Sequence, residues 1–164
     1  MKNIILLILS FFIYSCATMS TTDLADESLR TYAKVSEFPD LTKADIYVKA
    51  NSWFVETFKS AESVIEFSDK EGGKIMGRYL FSYSEGIYFY DIKQIIEVDI
   101  QEGRVRFKIS DPVFNISGDA LNGTYPRAAN YTPLKSTAGI TKAREEWERL
   151  NQDFLDYLSK DTSW

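Results

Sequence analysis

The sequence predicts an α+β domain in which a five-stranded antiparallel sheet carries two helices packed on one face, in the chain order β-α-β-β-β-β-α. Apolar residues recur at helical spacing in two segments, and they alternate with polar residues in most of the segments between them. A two-residue turn between the two longest strand segments also fixes how their residues pair. Because the strands are apolar on one side only, both helices are expected to cover that side.

The first two elements are predicted from their boundaries. A strand near Leu29–Phe38 ends before Pro39, because a residue that precedes proline is biased towards extended backbone. A helix then begins at Thr42, whose hydroxyl and the Asp45 carboxylate have the spacing of a capping box. The helix is expected to reach about Lys59. It should bury one apolar face, made of Ile46, Ala50, Trp53, Phe54 and Phe58.

Four strands and a second helix complete the predicted domain. The first two of these strands cover Ser63–Phe67 and Lys74–Tyr83. In the third, Tyr88–Ile100, even-numbered residues are mostly apolar and several odd-numbered ones are charged, as in a sheet covered on one side. The second helix is predicted over 138–160, and an ion pair is expected between Glu145 and Arg149 at i, i+4. Its apolar face consists of Ile140, Ala143, Trp147, Leu150, Phe154 and Leu158.

The turn at Glu102–Gly103 fixes the register between the third and fourth of these strands, since glycine adopts a positive φ without steric cost. A shift by one residue would misplace every pair. The charged pairs are therefore interpreted as aligning an exposed sheet face. The expected partners are Gln101 with Arg104, Ile100 with Val105, Asp99 with Arg106, Val98 with Phe107, and Glu97 with Lys108.

Residues 111–137 show no steady period and contain several Asn, Gly and Pro residues, so an irregular loop is expected there. Three of its side chains, Tyr125, Arg127 and Tyr131, are candidate contacts for a ligand or partner, because binding residues are often carried by loops. The alternative interpretation is that the aromatic side chains hold the loop against the domain.

Residues 1–16 have the outline of an export signal: Lys2, then an apolar stretch over 4–14, then Ser15 before Cys16. This stretch is shorter than the ~20 residues that a membrane-spanning helix needs. The ending Ile13-Tyr14-Ser15-Cys16 resembles a bacterial lipobox, although Tyr14 is bulky for its position. That resemblance implies that Cys16 becomes the lipidated first residue of the mature protein. A signal peptide cleaved elsewhere and an uncleaved anchor are the alternatives.

The lipobox resemblance divides the chain into a signal peptide (1–15), a lipidated Cys16 with a flexible tether (16–28), and a single domain (29–160). Several acyl chains would anchor the protein stably, since each buried CH₂ contributes ~0.8 kcal/mol. Ala17 is not acidic, which favours the outer membrane by the sorting rule of well-studied bacteria. Removal of 1–15 leaves 18 basic and 24 acidic side chains, a net charge of −6. This acidic balance disfavours nucleic acid as a partner.

The composition removes several classes of chemistry. The sequence contains no histidine, and Cys16 is its only cysteine, so Ser-His and Cys-His nucleophilic sites and His/Cys zinc sites are excluded. No cofactor is implied, since there is no Walker-type loop and 69–73 lacks the ligand pattern of an EF-hand. No pair among the 24 acids stands out for glycoside hydrolysis.

The expected function is therefore a non-catalytic binding or scaffold domain anchored in the bacterial envelope, with another envelope protein or a glycan as partner. A hydrolase that uses carboxylates and a carrier of a small ligand are the alternatives. The 11 Phe, 10 Tyr and 3 Trp residues indicate either a tightly packed core or a surface that binds sugar or peptide. A carrier would need a cavity between helices and sheet, which we expect to be filled by Trp53, Phe54, Trp147 and Phe154.

Several local motifs also match a known family: Leu41–Tyr47 leading to Asn51–Phe54, then Val64–Phe67, then the strand that contains Gly77. From about Arg30 to Phe114 the chain resembles a domain-of-unknown-function family of bacterial envelope proteins with a TBP-like fold. The resemblance implies the same order of elements. It carries over no catalytic residue, since the family has no assigned activity, and the fold name does not imply DNA binding.

Overall fold

The computed structural model describes residues 25–58, 64–124 and 130–160. A 3₁₀ turn at Glu27–Arg30 precedes the regular elements. These are β1 (Tyr32–Glu37), α1 (Lys43–Thr57), β2 (Val64–Asp69), β3 (Lys74–Glu85), β4 (Tyr88–Gln101), β5 (Arg104–Asp119), β6 (Gly123–Thr124), β7 (Thr132–Pro133) and α2 (Thr137–Ser159). The main strands form an antiparallel sheet in the order β1-β5-β4-β3-β2, with both helices on one face. The predicted α+β class and element order are confirmed, and the short strands β6 and β7 are small additions that pair with β5.

The first strand begins later than the predicted Leu29, because the 3₁₀ turn occupies the residues before it. The Asp26 carboxylate accepts a hydrogen bond from the backbone N–H of Ser28 at 2.8 Å, which fixes the start of that turn. Arg144 of α2 donates to the carbonyl of Leu29 at 3.2 Å and ties the turn to the helix. Only from Tyr32 onwards does the chain pair with β5.

The last residues of the expected tether belong to the domain. The backbone N–H of Ala25 donates to the carbonyl of Lys135 at 2.8 Å, immediately before the start of α2. Residues 25–28 are therefore held against the domain by backbone bonds and the 3₁₀ turn. The rest of the expected tether, the signal peptide and Cys16 lie outside the described residues.

The hairpin of β4 and β5 has the register predicted from its turn. All five pairs proposed from the sequence are present, from Gln101 with Arg104 to Glu97 with Lys108. Gly103 has φ +65°, the conformation for which a glycine was expected. The apolar side of β4 is buried from Ile92 to Ile100, and its one polar member there, Gln94, accepts a hydrogen bond from the Trp147 indole N–H at 2.6 Å.

The prediction of an irregular loop over 111–137 is wrong for the first third of this range, because β5 continues to Asp119. The alternation of apolar residues is broken by a bulge: Ile95 pairs with Ser110, whereas Lys93 pairs with Val113. Asp111 within the bulge has φ +52°. Further along the chain β7 pairs with the same stretch of β5, and residues 125–129 are not described.

Both predicted helices are confirmed, together with the faces that they bury, except that α1 ends at Thr57 and Phe58 after it is only partly buried. Thr42 and Asp45 form the predicted capping box at the start of α1. Trp53 of α1 donates from its indole N–H to Asp153 of α2 at 2.8 Å, and Tyr157 of α2 donates to Glu56 of α1 at 2.7 Å. The space between helices and sheet is filled, as expected, by large buried side chains: Trp53, Phe54, Phe107, Trp147 and Phe154.

Candidate functional site

The loop residues proposed from the sequence are only partly described. Tyr131 is half-buried, and the Lys93 ammonium lies 4.2 Å from the centre of its ring. This contact agrees with the interpretation that the aromatic side chain holds the loop against the sheet. Tyr125 and Arg127 lie outside the described residues, so the structure shows no meeting of the three side chains.

A different apolar surface is formed at what we call the distal end, the end of the sheet opposite the Glu102–Gly103 turn. β5 has 16 residues and is about 50 Å long, whereas the 23-residue α2 is about 35 Å long. The sheet therefore extends beyond the helices that cover it. Large apolar side chains are exposed here: Ile87, Tyr88, Phe89, Ile116 and Leu121.

Tyrosine rings line the helix-side face next to these exposed residues. Tyr83 and Tyr90 are directly opposite one another in β3 and β4, and their rings stack with centres 5.1 Å apart at 16°. Tyr90 also contacts Tyr88 and Phe114, each at 6.4 Å between ring centres. Burial, followed by the nearby charge of Glu85, raises the pKa of Tyr83 to about 12. Its phenol therefore stays neutral at physiological pH and remains a hydrogen-bond donor.

Hydrogen bonds hold the turn between β5 and β6 at the distal end. The buried Asp119 carboxylate accepts hydrogen bonds from the backbone N–H of Leu121 at 2.8 Å and of Asn122 at 2.7 Å. The Asn122 side chain donates to the same carboxylate. The backbone N–H of Ala120 donates to the Ile87 carbonyl at 2.7 Å, which joins this turn to the one between β3 and β4. Leu121, 79% exposed, projects from this network.

The side of the sheet that carries no helix, here the open face, has cross-strand ion pairs near the hairpin turn. Arg106 contacts Asp99 at 2.7 Å, and Lys74 contacts Glu97 at 3.0 Å. Partial burial favours a raised pKa for Asp99, but the hydrogen bond and charge of Arg106 outweigh it and lower the pKa. A shallow cavity of about 540 Å³ lies here, lined by charges of both signs. Both acids are engaged by cations, which suits alignment of the sheet better than proton transfer.

The side chains with the largest pKa shifts form a cluster that has a structural role. Burial raises the pKa of Tyr79, and its hydroxyl donates to Glu146 at 2.6 Å. Arg149 donates two hydrogen bonds to Glu146, at 2.7 and 2.8 Å. The predicted pair of Glu145 with Arg149 is therefore wrong, and Glu145 pairs with Lys142 instead. The cluster connects β3 to α2.

Two further findings concern only residues 25–58, 64–124 and 130–160. Within these ranges no three His, Cys, Asp or Glu side chains are grouped so that they could hold a metal ion. No helix in this part of the chain combines the length and the apolar character needed to cross a membrane.

Comparison with known proteins decides the family. Residues 32–115 match the model of a domain of unknown function, DUF4468, with a TBP-like fold. The chain belongs to this family. The DUF4468 segment comprises β1, α1, β2 to β4 and most of β5, so Leu121 and α2 lie beyond it. Among curated proteins, none matches the chain significantly.

Solved structures extend the likeness beyond the DUF4468 segment. The chain is similar to a TBP-like protein from Parabacteroides distasonis, with 17% identity, a TM-score of 0.64, and coverage of 89% of this chain and 99% of that one. It is also similar to a DUF4468 family protein from Bacteroides ovatus, with 18% identity, a TM-score of 0.56, and coverage of 88% and 95%. At these identities the likeness shows the fold, and function must be argued from the site.

Sequence reasoning missed the distal end as a candidate site. Tyr88 and Tyr90 were assigned to the apolar side of β4, which is correct, but apolar alternation does not show where the covering helices stop. The lack of a steady period over 111–137 predicts only an irregular loop around Leu121. The signal that could have found it is strand length, since β4 has 14 residues and β5 has 16.

Proposed function

We propose that the chain is a lipid-anchored protein of the bacterial cell envelope, whose single DUF4468 domain is a non-catalytic binding or scaffold module. The observation that supports binding is the exposed apolar distal end, because contiguous exposed apolar surface commonly marks an interaction site. The observation that supports the anchor is Cys16, preceded by Ile13-Tyr14-Ser15 and an apolar stretch. Ala17 after the cysteine favours the outer membrane in this proposal.

The non-catalytic part of the proposal rests on the chemistry of the described residues. Asp99 and Glu97 of the open face are engaged by Arg106 and Lys74, and the sequence offers no histidine as a general base. Nucleic acid is not proposed as a partner, because the mature chain would carry a net charge of −6 and the open-face cations contact carboxylates. Another envelope protein or a glycan remains the partner proposed from the sequence.

Metabolic labelling with an alkyne fatty acid in a bacterial host tests the anchor. Wild-type protein is expected to carry the fatty-acid label, and Cys16→Ser is expected to lose both the label and the associated gel mobility. Ser15→Ala is the matched control: it keeps a small residue before the cysteine and should be labelled like wild type. An unlabelled wild type, or a Cys16→Ser protein labelled as strongly as wild type, would contradict the proposal.

A further inference from the structure

We propose that the distal end inserts its two turns into the surface of an uncharged lipid bilayer, as a second membrane contact beside the anchor. This inference rests on the proposed function, since the anchor brings the domain to a bilayer. The apolar residues concerned are at projecting turns: Leu121 is 79% exposed and Ile87 is 44% exposed. The Ala120–Ile87 backbone bond keeps these turns side by side. Adjacent protruding turns suit shallow insertion better than they suit a flat protein interface.

The Leu121 turn also avoids the main free-energy cost of entering lipid. A backbone N–H without a partner is costly in the hydrocarbon region, because no water is present to accept its hydrogen bond. Here the N–H groups of Ala120, Leu121 and Asn122 all have acceptors within the protein, at 2.7 to 2.8 Å. The turn can therefore enter the interface without exposing these donors.

The side chains behind the turns fit the boundary between lipid and water. Tyr88 is 43% exposed, and Tyr83 and Tyr90 are half-buried next to it. Tyrosine is enriched where proteins meet the headgroup region, because its ring is apolar and its hydroxyl is polar. Apolar tips followed by tyrosines form the expected gradient from hydrocarbon to headgroup.

The charged residues at the distal end indicate which kind of bilayer it would bind. Segments 82–92 and 114–124 contain no Lys or Arg, and their acids are Glu85, Asp91 and Asp119. Attraction to anionic lipid depends on basic residues, and these two segments supply none. Insertion would instead depend on burial of apolar area, and a neutral surface would be preferred to an anionic one.

The length of chain between the anchor and the domain permits this contact. Eight residues separate Cys16 from Ala25, and a segment of this length spans at most about 30 Å. Lys135, which accepts the Ala25 bond, closely follows β7, whose residues pair with Val113 and Phe114 of β5. From there β5 continues for about 20 Å to Asp119 at the distal end. The distal end and the anchor can therefore reach the same membrane surface.

The test uses the mature, lipidated chain with a single introduced thiol. Leu121→Cys places an environment-sensitive fluorophore at the distal end. Val35→Cys is the matched control: an exposed aliphatic residue on β1, opposite Arg106 and roughly 40 Å from Asp119 along β5. Both proteins are reconstituted in phosphatidylcholine vesicles that contain nitroxide-labelled lipid. The fluorophore at 121 is expected to shift to shorter wavelength and to be quenched, whereas that at 35 should show neither change.

Equal wavelength shifts and equal quenching at positions 121 and 35 would overturn the inference. A blue shift at 121 without quenching by nitroxide lipid would also overturn it, and would indicate a contact between protein copies. Stronger quenching in phosphatidylglycerol than in phosphatidylcholine vesicles would refute the preference for a neutral surface. Acylation of Cys16 is checked first by mass, so failure of the anchor is seen separately from failure of the distal contact.

Discussion

At the scale of single residues, Asp99 lies between two cations of the open face, Arg106 at 2.7 Å and Lys74 at 3.6 Å. These contacts lower its pKa below 3.8 in the folded state, despite the partial burial that acts in the opposite direction. The pairing of Asp99 with Arg106 could be predicted from sequence, because a strand register places opposite residues together. The ion pair of Arg149 could not, because Tyr79 from a distant strand decides which glutamate it meets.

A pH titration tests this balance of charges. Because the folded pKa of Asp99 is lowered, its contribution to the free energy of unfolding is present above pH 3.8 and is lost as pH falls through the folded value. Asp99→Asn should therefore reduce stability at neutral pH, by less than ~1 kcal/mol for so exposed a pair, and the difference from wild type should disappear in acid.

NMR titration of the Asp99 carboxyl carbon gives the direct measurement. Arg106→Gln is the control, and it should raise the pKa of Asp99 towards 3.8. A wild-type carboxyl that titrates at or above 3.8 would show that burial outweighs the cations.

Among the secondary-structure elements, those with a regular apolar period are predicted correctly, and the prediction fails where the period is interrupted. The capping box of Thr42 and Asp45 and the unbroken alternation of β4 predicted α1 and β4 to within a few residues. The irregular loop predicted from residue 111 ends β5 too early, because the bulge at Asp111 moves the following apolar residues out of alternation. Register shifts of this kind depend on the neighbouring strand and leave no local signal.

The turn of the β4–β5 hairpin gives the prediction at this scale. Gly103 has φ +65°, and a Cβ placed there would meet only ordinary contacts with Pro39 and Phe38. Gly103→Ala should therefore destabilise the fold through its backbone alone, by about 1–2 kcal/mol. Gly103→Asn should cost less, since asparagine tolerates this conformation. Chemical denaturation measures both, and an alanine variant as stable as wild type would refute the strain argument.

At the level of the whole molecule, the apolar faces of the elements predict the fold. The candidate site depends instead on the part of the apolar surface that the helices do not cover. Trp53, Trp147 and Phe154 could be assigned to the core from helical spacing alone. The exposure of Tyr88 and Leu121 depends instead on how far the sheet extends beyond α2, a property of the assembled layers. The proposed membrane-surface role of this DUF4468 chain rests on two features, the exposed apolar distal end and the expected lipid anchor.

Mass spectrometry of the mature protein purified from its membrane fraction is the decisive measurement for the lipid anchor. We expect the mature chain to begin at Cys16 and its N-terminal peptide to carry the added mass of acyl chains. A mature chain that begins at any other residue, or an unmodified Cys16, would contradict it.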